Sequence, residues 1–500
     1  MKEQLNQLKT LLAEISDLSQ VAGLLGWDQQ VNMPPGAAEA RGNQMGTLQK
    51  LIHQKSIIPE IGQLIEDLDA AAKDIDPDSD DARLIKVAKR DYENAVKVPP
   101  EFTEKFAKVT TIAHGAWAEA RATHDFSKFQ PQLEEILVLT REYADFFAPY
   151  DHPYDPMLDQ FEPGMKTADV KAIFDALRPQ QVKLIKAIAD RPQVDDSFLH
   201  QPYDEQKQWD FGVEAITRYG YDWQRGRQDK SVHPFTSNFG RTDVRITTRI
   251  SPDYFNSGLF SMLHECGHGL YELGSAPKYE RSPLAGGASL AVHESQSRMY
   301  ENLIGRSMPF WEYFYPKLQE LFPSQLDGID LLTFYKGINR VEPSLIRVEA
   351  DEATYNLHIM LRLEIEIALM ERKLEVQDLP EVWNAKMEAY LGVVPPTDTE
   401  GVLQDIHWSF GGIGYFSTYA LGNLISAQLW EKMLADMPDM PDQIRKGSFA
   451  ELLQWLVENI HQHGRKYEPQ ELVQRVTGSQ IDAAPYMRYL NTKYSDIYGL

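Results

Sequence analysis

The 500-residue chain has one cysteine, Cys266. An internal disulfide framework is therefore excluded, and a reducing compartment is the expected setting. Positive charge is also scarce: 50 Lys and Arg stand against 74 Asp and Glu, a formal charge of −24. A field of that sign repels phosphate backbones and anionic lipid, so no nucleic acid and no membrane is expected as a partner. No apolar run approaches the roughly 20 residues needed to span a bilayer. The N-terminus carries acid early and places Leu5, Leu8, Leu12, Ile15 and Leu18 at helical spacing. A signal peptide would show an unbroken apolar stretch instead, so a cytoplasmic location is expected. Low-complexity segments and repeats of solenoid period are absent as well. What remains is ordinary globular composition, 43% hydrophobic and 11% aromatic, enough for a large core and too much for a disordered chain.

Helical periodicity dominates. It predicts helices near 1–25, 36–70, 79–97, 101–122, 130–147, 167–190, 204–218, 256–274, 287–305, 311–321, 343–372, 379–391, 412–436, 448–463 and 468–476. Proline and glycine signals separate them, among them Pro34-Pro35-Gly36, Pro99-Pro100, Pro163-Gly164 and Pro395-Pro396. One stretch departs from this pattern. From Arg241 to Ile250, Val244, Ile246, Thr248 and Ile250 alternate with Arg245, Thr247 and Arg249. Period two with β-branched residues predicts a half-buried strand, one member of a strand pair. An extended peptide can add to such an edge through its backbone, which reads no side chains.

The strand precedes His264-Glu265-Cys266-Gly267-His268. Leu259, Phe260, Leu263, Leu270 and Tyr271 set this motif in a helix, where residues four apart share a face. His264 and His268 can then aim imidazole nitrogens at one Zn²⁺. Glu265 is rotated about 100° from His264, beside the metal and not on it, where it can take a proton from water. With 13 histidines in the chain, chance supplies HExxH in roughly a few hundredths of comparable sequences. A catalytic zinc keeps three protein ligands. Glu294, 26 residues after His268, opens the next predicted helix and is a candidate third ligand. His293 is its rival, and an i,i+4 ion pair with Arg298 is the plain alternative for Glu294. Cys266 faces elsewhere and reads as a small buried residue.

These residues carry a resemblance that extends over nearly the whole chain. Leu24-Leu25-Gly26-Trp27-Asp28 begins it. His233-Pro234-Phe235, Asp243-Val244-Arg245-Ile246-Thr247, the HExxH segment and His293-Glu294-Ser295-Gln296 follow. Gly401 to Trp408 (GVLQDIHW) and Gly414 to Tyr419 (GYFSTY) complete the set. In this order they resemble the motifs of the carboxypeptidase Taq family of zinc metallocarboxypeptidases. The resemblance implies one mainly α catalytic domain over residues 1–500, similar to neurolysin and the angiotensin-converting enzymes. Two helical lobes would flank a deep groove, with a small sheet beside the HExxH helix. It implies a homodimer and stepwise release of C-terminal residues from peptides with a free C-terminus, broad in specificity and poor at proline. It also implies Glu294 as third ligand and one Zn²⁺ per chain, for which Co²⁺ or Mn²⁺ can substitute.

Peptide hydrolysis further needs a donor for the tetrahedral oxyanion. His407, Tyr415 and Tyr419 are candidates, because the turn Gly411-Gly412-Ile413-Gly414 can return the tyrosines to the histidine. Helix packing is the plain alternative for the two tyrosines, and the sequence does not choose between them. An exopeptidase must also hold a terminal carboxylate, which a guanidinium matches bidentately. Arg245 on the strand and Arg347 in Ile346 to Glu352 are candidates, and His233 is a further substrate contact. Structural ion pairing competes for Arg347, and a loop position beside a proline turn competes for His233. Two other functions share much of this pattern. One is a helical zinc oligopeptidase or dipeptidyl carboxypeptidase. The other is a catalytically silent peptide-binding protein with a structural zinc, which would have no need of Glu265.

Overall fold

A computed structural model describes residues 1–500. The chain is mainly helical, with one three-stranded sheet, and no helix is long and apolar enough to cross a membrane. It divides into two compact units. The first contains Met1–Val96, Asp195–Ile338 and Leu429–Gly478, and the second Lys97–Val194, Asn339–Gln428 and Ser479–Leu500.

In the first unit, the helices at the N-terminus bury Leu5, Leu8, Ile61, Leu64, Ile65, Leu68, Leu84 and Ile85 against Tyr279 and Leu284. The periodic segment 36–70 is two helices, Ala38–Ser56 and Pro59–Ala72. Pro59 forces the preceding Ile58 into an extended conformation and takes the first helical position, where it lacks no needed N–H. The helix Phe255–Leu273 is buried on nearly every face. It packs on the helices Glu205–Tyr219 and Leu290–Arg298 and on the sheet. Around its first turn, Phe211, Phe255, Trp311, Phe314 and Phe334 form a continuous aromatic cluster.

The sheet holds β1 (Gly226–Lys230), β2 (Thr236–Asn238) and β3 (Val244–Thr248) in the order β1-β3-β2. The strand predicted over Arg241 to Ile250 is thus the middle one, parallel to β1 and antiparallel to β2. Both its edges are occupied, so it cannot accept a peptide strand; the outer edges of the sheet belong to β1 and β2. The alternation of β3 also fails at Thr247, which is buried. Its hydroxyl accepts from the Phe235 amide at 2.9 Å and from Ser231 Oγ at 2.7 Å, which holds the connection into β2 against β3.

In the second unit, the expected helix 343–372 begins only at Tyr355, after a short turn at Arg347–Glu349. Its early residues are held in a loop because the Arg347 amide donates to the Gln404 side chain at 2.9 Å. The segment 412–436 is helical from Ser417. Helices at Asp155–Phe161, Leu331–Ile338 (in the first unit) and Ala484–Tyr498 lie outside the expected set. The last buries Tyr486, Leu490, Tyr494 and Tyr498 along one face, and tyrosine marks an apolar stripe weakly.

Gly267 lies where two helices meet most closely. A Cβ there would come within 2.6 Å of the Gln296 carbonyl oxygen and of Ser297 Cα. Both are backbone atoms and cannot swing aside. Gly267→Ala is expected to lower stability by about 1–3 kcal/mol, the usual cost of overpacking. Denaturant melts of metal-free protein check this, and an unchanged midpoint would refute it.

Candidate active site

The helix Phe255–Leu273 and the helix Leu290–Arg298 bring three ligating groups together. Glu294 Oε2 lies 3.6 Å from His264 Nε2 and 3.5 Å from His268 Nε2. The ligand atoms of His264, His268 and Glu294 all fall within 4.8 Å of one another. Ser289 starts the second helix by accepting from the Val292 amide at 3.1 Å. The expected helix 287–305 ends as a regular helix at Arg298 and continues as a π-helical turn, Met299–Ile304. Glu294, Arg298 and Glu301 share a face at i, i+4 and i+7. Arg298 donates to Glu294 Oε1 at 2.7 Å and to Glu301 Oε2 at 3.1 Å. The ion pair with Arg298 therefore coexists with the meeting of Glu294 and the histidines, because the carboxylate has two oxygens and each serves one of them.

This donor set fits a divalent cation such as Zn²⁺. A tetrahedral site with bonds of about 2.1 Å separates its ligand atoms by about 3.4 Å, close to the two distances above. Both imidazoles present Nε2 while Nδ1 is engaged elsewhere: His264 Nδ1 lies 2.9 Å from Glu301 Oε2, and His268 Nδ1 lies 2.7 Å from His293 Nδ1. Burial would raise the Glu294 pKa, but Arg298 and the two histidines hold it far below the usual carboxylate range. Burial also opposes the charge on Glu301, which Arg298 and His264 nevertheless pull down to about 2. Burial drives His268 down to about 3, so it is neutral and able to ligate. His293 is not a rival ligand, since its other ring nitrogen, Nε2, lies 2.6 Å from Glu272 Oε1. Cys266 is buried away from the cluster, and burial pushes its thiol up.

Glu265 is buried beside this cluster, and its Oε2 accepts from Thr236 Oγ1 at 2.6 Å. Burial raises its pKa against the opposing pull of His264 and Thr236. Thr236 belongs to β2, so the sheet supports the carboxylate next to the candidate metal ligands.

A profile of the carboxypeptidase Taq (M32) metallopeptidases matches residues 7–494. The chain belongs to this family. It is 41% identical to thermostable carboxypeptidase 1 of Thermus thermophilus, over 97% of each chain. It is 38% identical to carboxypeptidase 1 of Bacillus subtilis, over 98% of each. The M32 carboxypeptidase of Deinococcus radiodurans superposes with a TM-score of 0.96 at 40% identity, covering all of both chains. The protein is thus a carboxypeptidase, it acts on peptides, and its family implies a metal.

The remaining predicted residues of this M32 carboxypeptidase fall in two places. In the first unit, His233 is exposed in the loop between β1 and β2. Arg245 is bidentate on Asp243, at 2.8 Å for both bonds, and lies over the Trp27 ring at 4.4 Å. In the second unit, His407, Tyr415 and Tyr419 are brought together. His407 Nε2 is 3.4 Å from the Tyr419 hydroxyl, and its ring centroid is 5.2 Å from that of Tyr415. Burial, against the pull of Asp405, lowers the His407 pKa to about 4.

Arg347 belongs to the same group. Its Nη2 is 2.9 Å from Asp405 Oδ1, its Nη1 donates to the Tyr355 hydroxyl at 2.9 Å, and its guanidinium lies over the Tyr419 ring at 5.0 Å. Asp405 also holds Arg362 through Oδ2 at 2.6 Å. Sequence reasoning missed Glu366. It accepts from Tyr154 at 2.5 Å, from Trp408 Nε1 at 2.8 Å and from the Gly414 amide at 3.0 Å. This carboxylate ties the segment bearing His407 to the turn bearing Tyr415, and burial raises its pKa to about 7. Glu301 was also missed, although its i+7 spacing from Glu294 was visible. Glu272, four residues after His268 on the same helix, was visible in the same way, whereas Glu366 and Thr236 had no local signal.

Glu294→Ala is expected to lose bound metal together with activity, whereas His293→Ala should lose less metal. Elemental analysis after purification checks this, and wild-type zinc content in Glu294→Ala would rule out ligation.

Proposed function

We propose that the protein is a Zn²⁺-dependent metallocarboxypeptidase that releases single residues from peptides with a free C-terminus, with broad specificity and poor action at proline. The proposal rests on one observation: the buried carboxylate of Glu265 lies beside three convergent metal-ligating groups and is held by Thr236. A bound divalent cation would polarise the scissile carbonyl and acidify water. Glu265 then serves as general base, taking a proton from the attacking water and delivering it to the leaving amine. Its raised pKa suits the second role, because the carboxyl keeps the proton until the amine takes it. His407, Tyr415 and Tyr419 are the proposed donors to the developing oxyanion.

The outer edge of β2 suits an extended peptide backbone. Phe235 and Phe239 bond to β3, with Thr247 N donating to Phe235 O at 3.0 Å and Phe239 N to Asp243 O at 2.9 Å. Thr236 and Asn238 therefore turn their backbone groups away from β3, the Asn238 carbonyl towards Gly23 of the N-terminal helix Lys2–Val31. Pairing there reads no side chains, in keeping with broad specificity. For the terminal carboxylate, charge balance favours Arg347 over Arg245. Asp243 neutralises Arg245 one to one. Asp405 is shared between Arg347 and Arg362, and the other acid acting on the fully buried Arg362, Glu366, is pushed up to about 7 by burial, so Arg347 is the less completely neutralised of the two candidates. The homodimeric state belongs to the same proposal and rests on the motif resemblance, and the cytoplasmic location on the scarcity of cysteine.

Glu265→Gln should retain metal yet lose about 10²–10⁴-fold in kcat; near-normal turnover would overturn the assigned role. Amidating the C-terminus removes a charge-assisted pair worth about 2–5 kcal/mol, or roughly 30- to 5,000-fold in kcat/KM. Mass spectrometry of the products from free and amidated peptides reads both rate and register. Single residues lost stepwise from free ends only is the expected result. Dipeptide release would indicate a dipeptidyl carboxypeptidase, and equal cleavage of amidated peptides an oligopeptidase.

A further inference from the structure

We infer that His293 and Glu272 are positioning residues that fix the tautomer of His268, an inference that rests on reading His264, His268 and Glu294 as metal ligands. A neutral imidazole carries one proton and one lone pair. To ligate through Nε2, His268 must carry its proton on Nδ1. That nitrogen is 2.7 Å from His293 Nδ1, so His293 must accept there. The proton of His293 then sits on Nε2 and is donated to Glu272 Oε1 at 2.6 Å. The reverse arrangement would put the His268 proton on Nε2, where a cation must bind. It would also set a His293 lone pair against a carboxylate oxygen at the same 2.6 Å. Glu272 therefore selects the arrangement in which His268 can ligate, and His293 transmits the selection.

The two histidine ligands are thus oriented differently. His264 donates straight to the Glu301 carboxylate at 2.9 Å, the usual arrangement of a carboxylate behind a metal-bound imidazole. His268 reaches its carboxylate through a second imidazole. His293 adjoins Glu294 on the helix Leu290–Arg298, so a single helical turn supplies both the third ligand and the link that orients the second. Packing holds the link in place. A Cβ on Gly287 would come within 2.7 Å of His293 Cδ2, and the Tyr271 ring centroid lies 4.9 Å from that of His293. Both ring nitrogens of His293 are committed, which leaves it no part in ligation.

The test is Zn²⁺ affinity, measured on full-length metal-free protein by competition with a chromophoric chelator. An asparagine at 293 places its carbonyl oxygen near the Nδ1 position and can still accept from His268, whereas a glutamine reaches towards the Nε2 position and cannot. His293→Gln and His293→Leu are expected to weaken Zn²⁺ binding about 10- to 100-fold. His293→Asn should stay within a few-fold of wild type, and Glu272→Leu should bind about tenfold more weakly. Equal affinity in wild type, His293→Gln and His293→Leu would overturn the relay, as would His293→Asn binding no better than His293→Gln. The comparison of the amide variants holds even if His293→Leu fails to fold. Glu294→Ala serves as the separate control. If wild type binds no Zn²⁺, or Glu294→Ala binds it unchanged, the ligand assignment itself falls, whereas an intact wild-type site with unaffected His293 variants would overturn the relay alone.

Discussion

A buried carboxylate needs compensation, and at Glu294 that requirement organises the first unit. Desolvation opposes its charge, and Arg298, His264 and His268 together reverse the effect. Each of these groups is in turn held by another: Arg298 by Glu301, His264 by Glu301, and His268 by His293. The close approach of the two helices at Gly267 makes the meeting possible, because a single methyl group would drive them apart. The site is thus a set of charged and polar groups brought out of water together, and removing one leaves the others under-compensated.

The same principle recurs in the second unit, with a different balance. Asp405 lies between two arginines and Glu366 among three donors. The first cluster shares one carboxylate between two guanidiniums, and Arg362 also acts on Glu366. The second carboxylate is hydrogen-bonded but has no cation at contact distance in its bonds, and burial raises it to about 7. One cluster thus suits an anion and the other suits holding a backbone turn. Their sequence neighbourhoods, both rich in aromatic residues, do not distinguish them.

Much of the site was legible because its signals are local. HExxH places two histidines and a glutamate by helical geometry alone, and Glu294 lies within one turn and one return helix of them. The period-two stretch marked a strand correctly, yet not that it would be central, because occupancy of an edge depends on which segments come to lie beside it. β1 and β2 are short and polar and carry no apolar alternation of their own. The expected helix over 343–372 failed for a similar reason. Its first residues are held by Gln404, 57 positions away, and no window of local sequence contains that partner.

Sequence alone determined the helical character, the ligand trio and the base beside them as candidates, and the family motifs. Each follows from residue type at fixed spacing on a regular element. Tertiary structure alone decided which candidates are already committed. Arg245 is neutralised by Asp243, Arg347 shares its acid with Arg362, and His293 spends both nitrogens on His268 and Glu272. The physical reason is that a charged or titratable side chain takes its role from the groups that compensate it in a buried site, and many of those groups arrive from distant parts of the chain.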